Sequence, residues 1–261
     1  MDNPRHFVLV HGACHGAWCW YKIVALLQSS GHKVTALDMA ASGIHPKQVH
    51  EIDSIEDYYK PLIEFVRSLP QDERVILVGH SFGGICISMA MELFPKKIAV
   101  AVFVASMMPS PDLCFMTLRQ EYHQRLDSNM DTEIIFDDSS NNKSNGSIIH
   151  GPQFLASKMY QLSPPEDLSL VMLLQRPFRS FGDQELLREE TSVTKDNYGT
   201  VARVYVVCQQ DKLLKLDFQL SMIKRNHTND VKVIHDADHM AMFSKPQELF
   251  AYLQEIAKTY Y

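Results

Sequence analysis

Short apolar runs alternate along this chain with stretches whose apolar residues recur at helical spacing. His6–Val10, Lys33–Leu37, Arg74–Val78 and Ile98–Val104 are such runs, and their near-continuous aliphatic content reads as strands buried on both faces. Trp18–Ser29, Ile55–Ser68 and Gly84–Phe94 carry the helical period, and Gly31, Pro70 and Pro95 end them. On the second of these, Tyr58, Leu62, Phe65 and Val66 share one side. This order predicts βαβ units and a mostly parallel, doubly wound sheet. It resumes late in the chain with the strand Ala202–Cys208, the helix Leu216–Arg225, the short strand Val231–Ile234 and a last helix from Pro246 to about Lys258.

The pattern changes between residues 109 and 197. No strong strand stands there, only helix-like pieces (Leu118–Leu126, Pro152–Leu162, Glu166–Leu174) around a polar tract, Asp137–Gly146. The expectation is a core made of residues 1–108 and 198–261, with 109–197 as an inserted cap rather than a second domain. Ligands of parallel α/β sheets bind at the carboxyl ends of the strands, where such an insertion covers them. Met107, Tyr122 and Phe154, with other methionines and aromatics of this stretch, are candidates to line an apolar pocket. A good share of that apolar set must instead hold the cap together.

Composition narrows the field. The chain has 261 residues, is 46% hydrophobic and 21% charged, and carries a formal net charge of −6, which is ordinary for one globular unit. That charge, without any basic stripe, argues against nucleic acid or an anionic membrane as partner. No apolar stretch reaches the ~18 residues of a membrane span, and the N-terminus reads as no signal peptide. The five cysteines are scattered, odd in number and without C-x-x-C spacing, so neither a disulfide framework nor a zinc site is expected. A cytoplasmic protein follows, in which the sequons at Asn142, Asn145 and Asn226 stay silent.

Gly79-His80-Ser81-Phe82-Gly83 is a G-x-S-x-G set between the run ending at Val78 and the helix from Gly84. On such a strand-to-helix turn the glycines allow close packing and the serine hydroxyl stands above the sheet at a helix N-terminus. A serine nucleophile needs a base oriented by a carboxylate, and in this arrangement the chain order is serine, acid, histidine. Asp211 follows the strand ending at Cys208, and His239 follows the strand ending at Ile234. Asp238 is adjacent to His239 and is read as a loop brace, and Asp38 as a structural cap after the second strand. The oxyanion donors are expected from Phe82 N–H and from Ala13 in the loop His11–Gly16, where Gly12 allows close approach to a carbonyl. His15 either touches substrate or only packs. The glycines of that loop have neither the G-x-G-x-x-G nor the Gly-Lys-Ser/Thr pattern of a phosphate loop. No cofactor is called for, and no histidine pair stands on a helix at metal-ligand spacing.

The stretches His6–Trp18, Gly31–Asp38, Gly79–Gly84, Gly151–Ala156 and Asp238–Met242 resemble the plant methylesterase family, which also contains hydroxynitrile lyases and methylketone synthases. The resemblance implies an α/β-hydrolase fold with a small helical cap inserted after the sixth strand, often dimeric, hydrolysing methyl esters of small plant metabolites. Its catalytic residues fall on Ser81, Asp211 and His239. Hydroxynitrile lyases similar to this chain carry threonine at Gly12 and lysine at Met240 to bind the cyanohydrin; both are absent here, which argues against a lyase and leaves Gly12 and Met240 as substrate-binding candidates. Methylketone synthases, similar over residues 17–70, replace the serine that is present here. The expected function is a serine carboxylesterase. A β-keto acid decarboxylase and a small-ligand receptor are the alternatives. The oxyanion loop, the elbow and the histidine loop hold no arginine or lysine, which points to a compact, neutral, largely apolar acyl group.

Overall fold

The computed structural model describes residues 4–136 and 146–261. In chain order, β1 (His6–Val10), α1 (Tyr21–Ser29), β2 (Lys33–Leu37), α2 (Ile55–Ser68), β3 (Val75–His80), α3 (Gly83–Leu93) and β4 (Ile98–Val104) alternate as expected. The chain then leaves for α4 (Phe115–Arg125), β5 (Glu133–Phe136), β6 (Gly146–Ile149), α5 (Pro152–Phe154), α6 (Pro165–Leu174), β7 (Phe178–Arg179) and α7 (Gln184–Glu190). It returns with β8 (Arg203–Cys208), α8 (Leu216–Arg225), β9 (Asp230–Ile234), α9 (Ala241–Ser244) and α10 (Pro246–Tyr260).

β2-β1-β3-β4-β8-β9 is the order of one sheet, and every pairing in it is parallel. The two-residue period of the strands divides their side chains between two cores. Val8, Val10, Leu77, Phe103 and Tyr205 face α2, α3 and α8, whose Tyr58, Leu62, Cys86 and Phe218 complete that layer. Phe7, Leu9, Ile76, Val102 and Val206 face α1 and α10, with Ile23, Leu27, Leu249 and Leu253. Both faces are covered, which is why β1, β3, β4 and β8 are buried along their whole length.

Two expectations about the insertion need correction. It leaves the sheet after the fourth strand, not the sixth, because only β1 to β4 precede it among the described residues. Nor is it purely helical, since β5, β6 and β7 form an antiparallel three-stranded sheet. Strands of four, four and two residues leave too short a period to read. The helix expected over Pro152–Leu162 is shorter: α5 passes at once into a π-helical turn, Leu155–Met159. The polar tract from Asp137 to Asn145, with the Asn142 and Asn145 sequons, lies outside the described residues. Asn226 is buried, and its amide donates to Pro109 O at 2.6 Å and to Tyr198 Oη at 2.9 Å, so that sequon is closed to modification in the fold. Among the described residues no helix is long and apolar enough to cross a membrane.

Glu92, near the end of α3, fastens the chain as it returns toward β8. Its carboxylate accepts from Thr194 N (2.8 Å), Thr194 Oγ1 (2.8 Å), Asn197 Nδ2 (3.0 Å) and Tyr198 N (3.2 Å). Burial works against its charge, but these donors outweigh it and hold the carboxyl below its ordinary pKa. A depressed carboxylate pKa stabilises the fold above the unfolded-state value near ~4.3 and loses that contribution as pH falls through the lowered folded value. Glu92→Gln turns one acceptor into a donor facing donors. Urea unfolding at pH 7 is expected to show a loss of about 1–3 kcal/mol. The gap between the two proteins should close as pH drops below 4, and a gap that widens there contradicts the assignment.

Candidate active site

Ser81 sits at the sharp turn between β3 and α3 with φ +54°, in the left-handed region that costs a non-glycine residue about 1–2 kcal/mol. Its surroundings hold it there. The Ser81 carbonyl accepts from Gly84 N (3.2 Å), Met107 N (3.0 Å) and Ser106 Oγ (2.7 Å). Ser106 is itself clamped, since Tyr205 Oη donates to its carbonyl at 2.9 Å and accepts from its N–H at 3.0 Å. The flanking glycines are needed for space. A Cβ on Gly79 would lie 2.8 Å from Gly83 O, and one on Gly83 2.6 Å from His11 O.

The structure brings Asp211 and His239 together. Asp211 Oδ2 accepts from His239 Nδ1 at 2.7 Å, while Oδ1 accepts from Leu213 N (2.7 Å) and Leu214 N (2.9 Å). Burial pushes the Asp211 carboxyl up, against the pull of His239 and the two N–H groups. This places the Nδ1–H tautomer on His239. The other nitrogen, Nε2, is buried and has no hydrogen-bond partner among the described residues, so the Ser81 hydroxyl is not bonded to it here. Such contacts often tighten only when substrate binds. The His239 carbonyl accepts from His80 Nε2 at 2.8 Å, which ties the elbow to the histidine loop.

Asp238 braces this loop as expected. Oδ1 accepts from Met240 N at 3.0 Å, and Oδ2 accepts from Leu162 N and Ser163 Oγ, both at 2.9 Å. Asp38 likewise joins two turns, accepting from Ala17 N at 2.6 Å and Ile44 N at 3.1 Å.

In the loop after β1, Gly12 lies so close to the elbow that a Cβ there would stand 2.9 Å from the Ser81 Cβ. His11 donates from Nδ1 to Gly12 O at 2.8 Å and accepts Met39 N–H at Nε2 at 3.0 Å. The Gly12 carbonyl belongs to the peptide whose N–H is that of Ala13, so His11 sets the plane of that donor. The N–H groups of Ala13 and Phe82 donate to no protein group among the described residues. His15 donates from Nδ1 to Ala13 O at 2.8 Å and accepts from Tyr160 Oη at 2.7 Å, and burial pushes its pKa down to about 3. Both nitrogens of His11 and of His15 are committed within the protein.

A cavity of ≈ 190 Å³ opens over Ser81, somewhat more than the ~150 Å³ that encloses benzene in an apolar site. Gly12, Ala13, His15, Phe82, Met107 and Tyr122 line it, as the sequence suggested. Phe154 and Met240 do not. Phe154 is turned into a neighbouring cavity, stacked 4.5 Å from His150. Met240 is fully buried in the core beside α9, since its N–H is held by Asp238. Sequence reading missed Phe178, Phe181 and Leu214, which come from short elements with no periodic signal. It also missed Arg119, His123, His150 and Arg179 on the same walls. The absence of cations from three catalytic loops therefore says nothing about those the insertion delivers.

The sequence pattern of the alpha/beta hydrolase family matches residues 7–252, and the chain belongs to that family. It is 57% identical over 259 residues to methyl jasmonate esterase 1 of Vitis vinifera, covering 99% of this chain and 98% of that protein. Among solved structures, tomato methylketone synthase I complexed with 2-tridecanone superposes with a TM-score of 0.93 at 46% identity, covering 99% of each chain. Polyneuridine aldehyde esterase does so with a TM-score of 0.93 at 41% identity, over 98% of this chain and 100% of that one.

The elbow's packing can be tested apart from any activity. In Gly83→Ala the new methyl carbon meets His11 O at 2.6 Å and Val10 O at 2.7 Å. Both are backbone atoms that no rotamer change can move. A loss of about 1–3 kcal/mol in urea unfolding is expected. Gly199→Ala, whose Cβ meets nothing nearer than Thr194 O at 3.5 Å, is the control and should stay within ~0.5 kcal/mol.

Proposed function

We propose that this protein is a serine carboxylesterase that cleaves methyl esters of small, largely apolar acids. The observations that carry the reading are the buried Asp211–His239 pair at 2.7 Å, its Nε2 unpartnered among the described residues, the bond that ties its loop to the elbow through His80, and a serine held there in left-handed backbone. Ser81 Oγ attacks the ester carbonyl while His239 Nε2 takes its proton. Ala13 and Phe82 N–H groups receive the oxyanion, which suits two donors that have no partner among the described residues. His239 then protonates the departing methanol, and water, deprotonated by the same nitrogen, releases the acid from Ser81. Asp211 keeps the tautomer and faces the imidazolium as it forms. Residues 109–197 act as the cap that excludes bulk water. Membership in the alpha/beta hydrolase family and the likeness to a methyl jasmonate esterase support the ester as substrate class. We further infer cytoplasmic residence and a homodimer, from the family resemblance alone.

A second reading is favoured by the likeness to tomato methylketone synthase I. Here the site would release CO₂ from a β-keto acid, with His239 as proton donor and no acyl-enzyme. Product analysis separates the two. Methanol and a carboxylate in equal amounts support hydrolysis, whereas CO₂ from the free β-keto acid in Ser81→Ala supports decarboxylation.

Ser81→Ala is expected to lower kcat on a methyl-ester panel by roughly 10⁴ to 10⁶-fold with an unchanged melting temperature. Asp211→Asn, which presents an N–H where the imidazole needs an acceptor, should cost about 10⁴-fold. Near wild-type turnover in either variant would sink the assignment.

A further inference from the structure

α4 presents Phe115, Arg119, Tyr122 and His123 to the cavity, a spacing that places them along one helix face. Phe115 marks the inner end, with its ring 5.7 Å from that of Phe82, the neighbour of Ser81. Arg119 stands one turn further on, about 6 Å along the axis at ~1.5 Å per residue. Its guanidinium is half-buried and commits Nη1 to Phe181 O at 2.6 Å, and among the described residues most of its five donors are uncommitted.

The other charges of this helix are paired elsewhere. Glu121 binds Arg225 at 2.7 Å, and Arg125 binds Asp217 at 3.2 Å. No carboxylate reaches Arg119 among the described residues, and burial alone lowers its pKa. The nearby His123 is kept neutral by burial and by that guanidinium. A partly desolvated cation on a wall of Phe115, Phe181 and Tyr122 keeps a cost as long as its remaining donors go unmet.

We propose that Arg119 determines specificity, its guanidinium holding a hydrogen-bond-accepting oxygen that the acyl group carries several bonds beyond the scissile carbonyl. This deepens the esterase reading above and rests on it for the position of that carbonyl. The acceptor is a ketone or a carboxylate oxygen, which bind a guanidinium by the same geometry. The favoured substrate is therefore a bifunctional acid ester, apolar near the ester and polar further out, toward Arg119. A purely hydrocarbon acyl group leaves the guanidinium unsatisfied.

Calorimetry on Ser81→Ala, which cannot turn substrate over, tests this without depending on hydrolysis. The ligands are methyl heptanoate, methyl 6-oxoheptanoate and monomethyl pimelate. One or both of the two polar esters should bind about tenfold more tightly than methyl heptanoate, the scale of one hydrogen bond to a charged group. Which of them gains assigns the acceptor as ketone or carboxylate. In Ser81→Ala/Arg119→Gln the advantage should vanish, and Ser81→Ala/Arg119→Lys should keep part of it. An advantage that persists in the glutamine variant, or no advantage at the outset, overturns the proposal and leaves Arg119 as a clamp on Phe181. If the binding pattern holds while the enzyme with Ser81 intact cleaves none of the three esters, the esterase reading falls and the Arg119 subsite stands.

Discussion

A serine in left-handed backbone will not stay there unless something else makes every alternative worse, and the architecture of the central sheet does that for Ser81. β3 delivers it between β1 and β4, and three donors converge on its carbonyl. Relaxing φ to an ordinary value would swing that carbonyl away from all three. It would also lift α3 off the β1 edge, where Gly83 touches the His11 and Val10 carbonyls with no room for a methyl group. The strain of about 1–2 kcal/mol is thus small beside what holds it. The same geometry sets Gly12 and Phe82 beside Ser81 on the cavity wall, and the bond from His80 to the His239 carbonyl ties the histidine loop to the elbow.

The insertion is part of this arrangement and not an appendage. Asp238 reaches from the histidine loop to Leu162 and Ser163. Arg176 N–H donates to Cys14 O at 3.1 Å, in the oxyanion loop, where Cys14 has a left-handed φ of +63°. Arg119 ties α4 to Phe181. A movement of the insertion would therefore be felt at His239 and at Ala13, so access to the cavity and geometry of the site are mechanically linked.

How much of this could be read from the sequence follows from what kind of force sets each part. The six sheet strands and their helices were legible because burial on two faces writes long apolar runs with clear periods, and the observed ends differ from the expected ones by a residue or two, except that α1 begins three residues later, after a 3₁₀ turn over Ala17–Trp20. Ser81, Asp211 and His239 were legible because each stands just beyond a recognisable strand. Cavity walls were not. Arg119 lies on a helix with little amphipathic contrast, Phe178 on a two-residue strand, and contacts between distant short elements leave no local pattern. Met240 shows the opposite error. The lysine that similar hydroxynitrile lyases carry at this position suggested substrate contact, but here the side chain is buried in the core.

Charge is where the site is most constrained. Burial drives His15 to about 3, His150 to about 4 and His80 well below its ordinary value, and each is further disfavoured as a cation by the nearby His239. Those three rings therefore stay neutral at physiological pH, and neutral imidazoles can accept as well as donate, as His15 does with Tyr160 and Ala13. In the proposed cycle the positive charge that forms on His239 then meets the Asp211 carboxylate with no imidazolium competing at its side. A guanidinium cannot be silenced in this way. Arg119 stands a helical turn beyond Phe115 with Nη1 on Phe181 O, and in the proposed reading its remaining donors are met by the substrate.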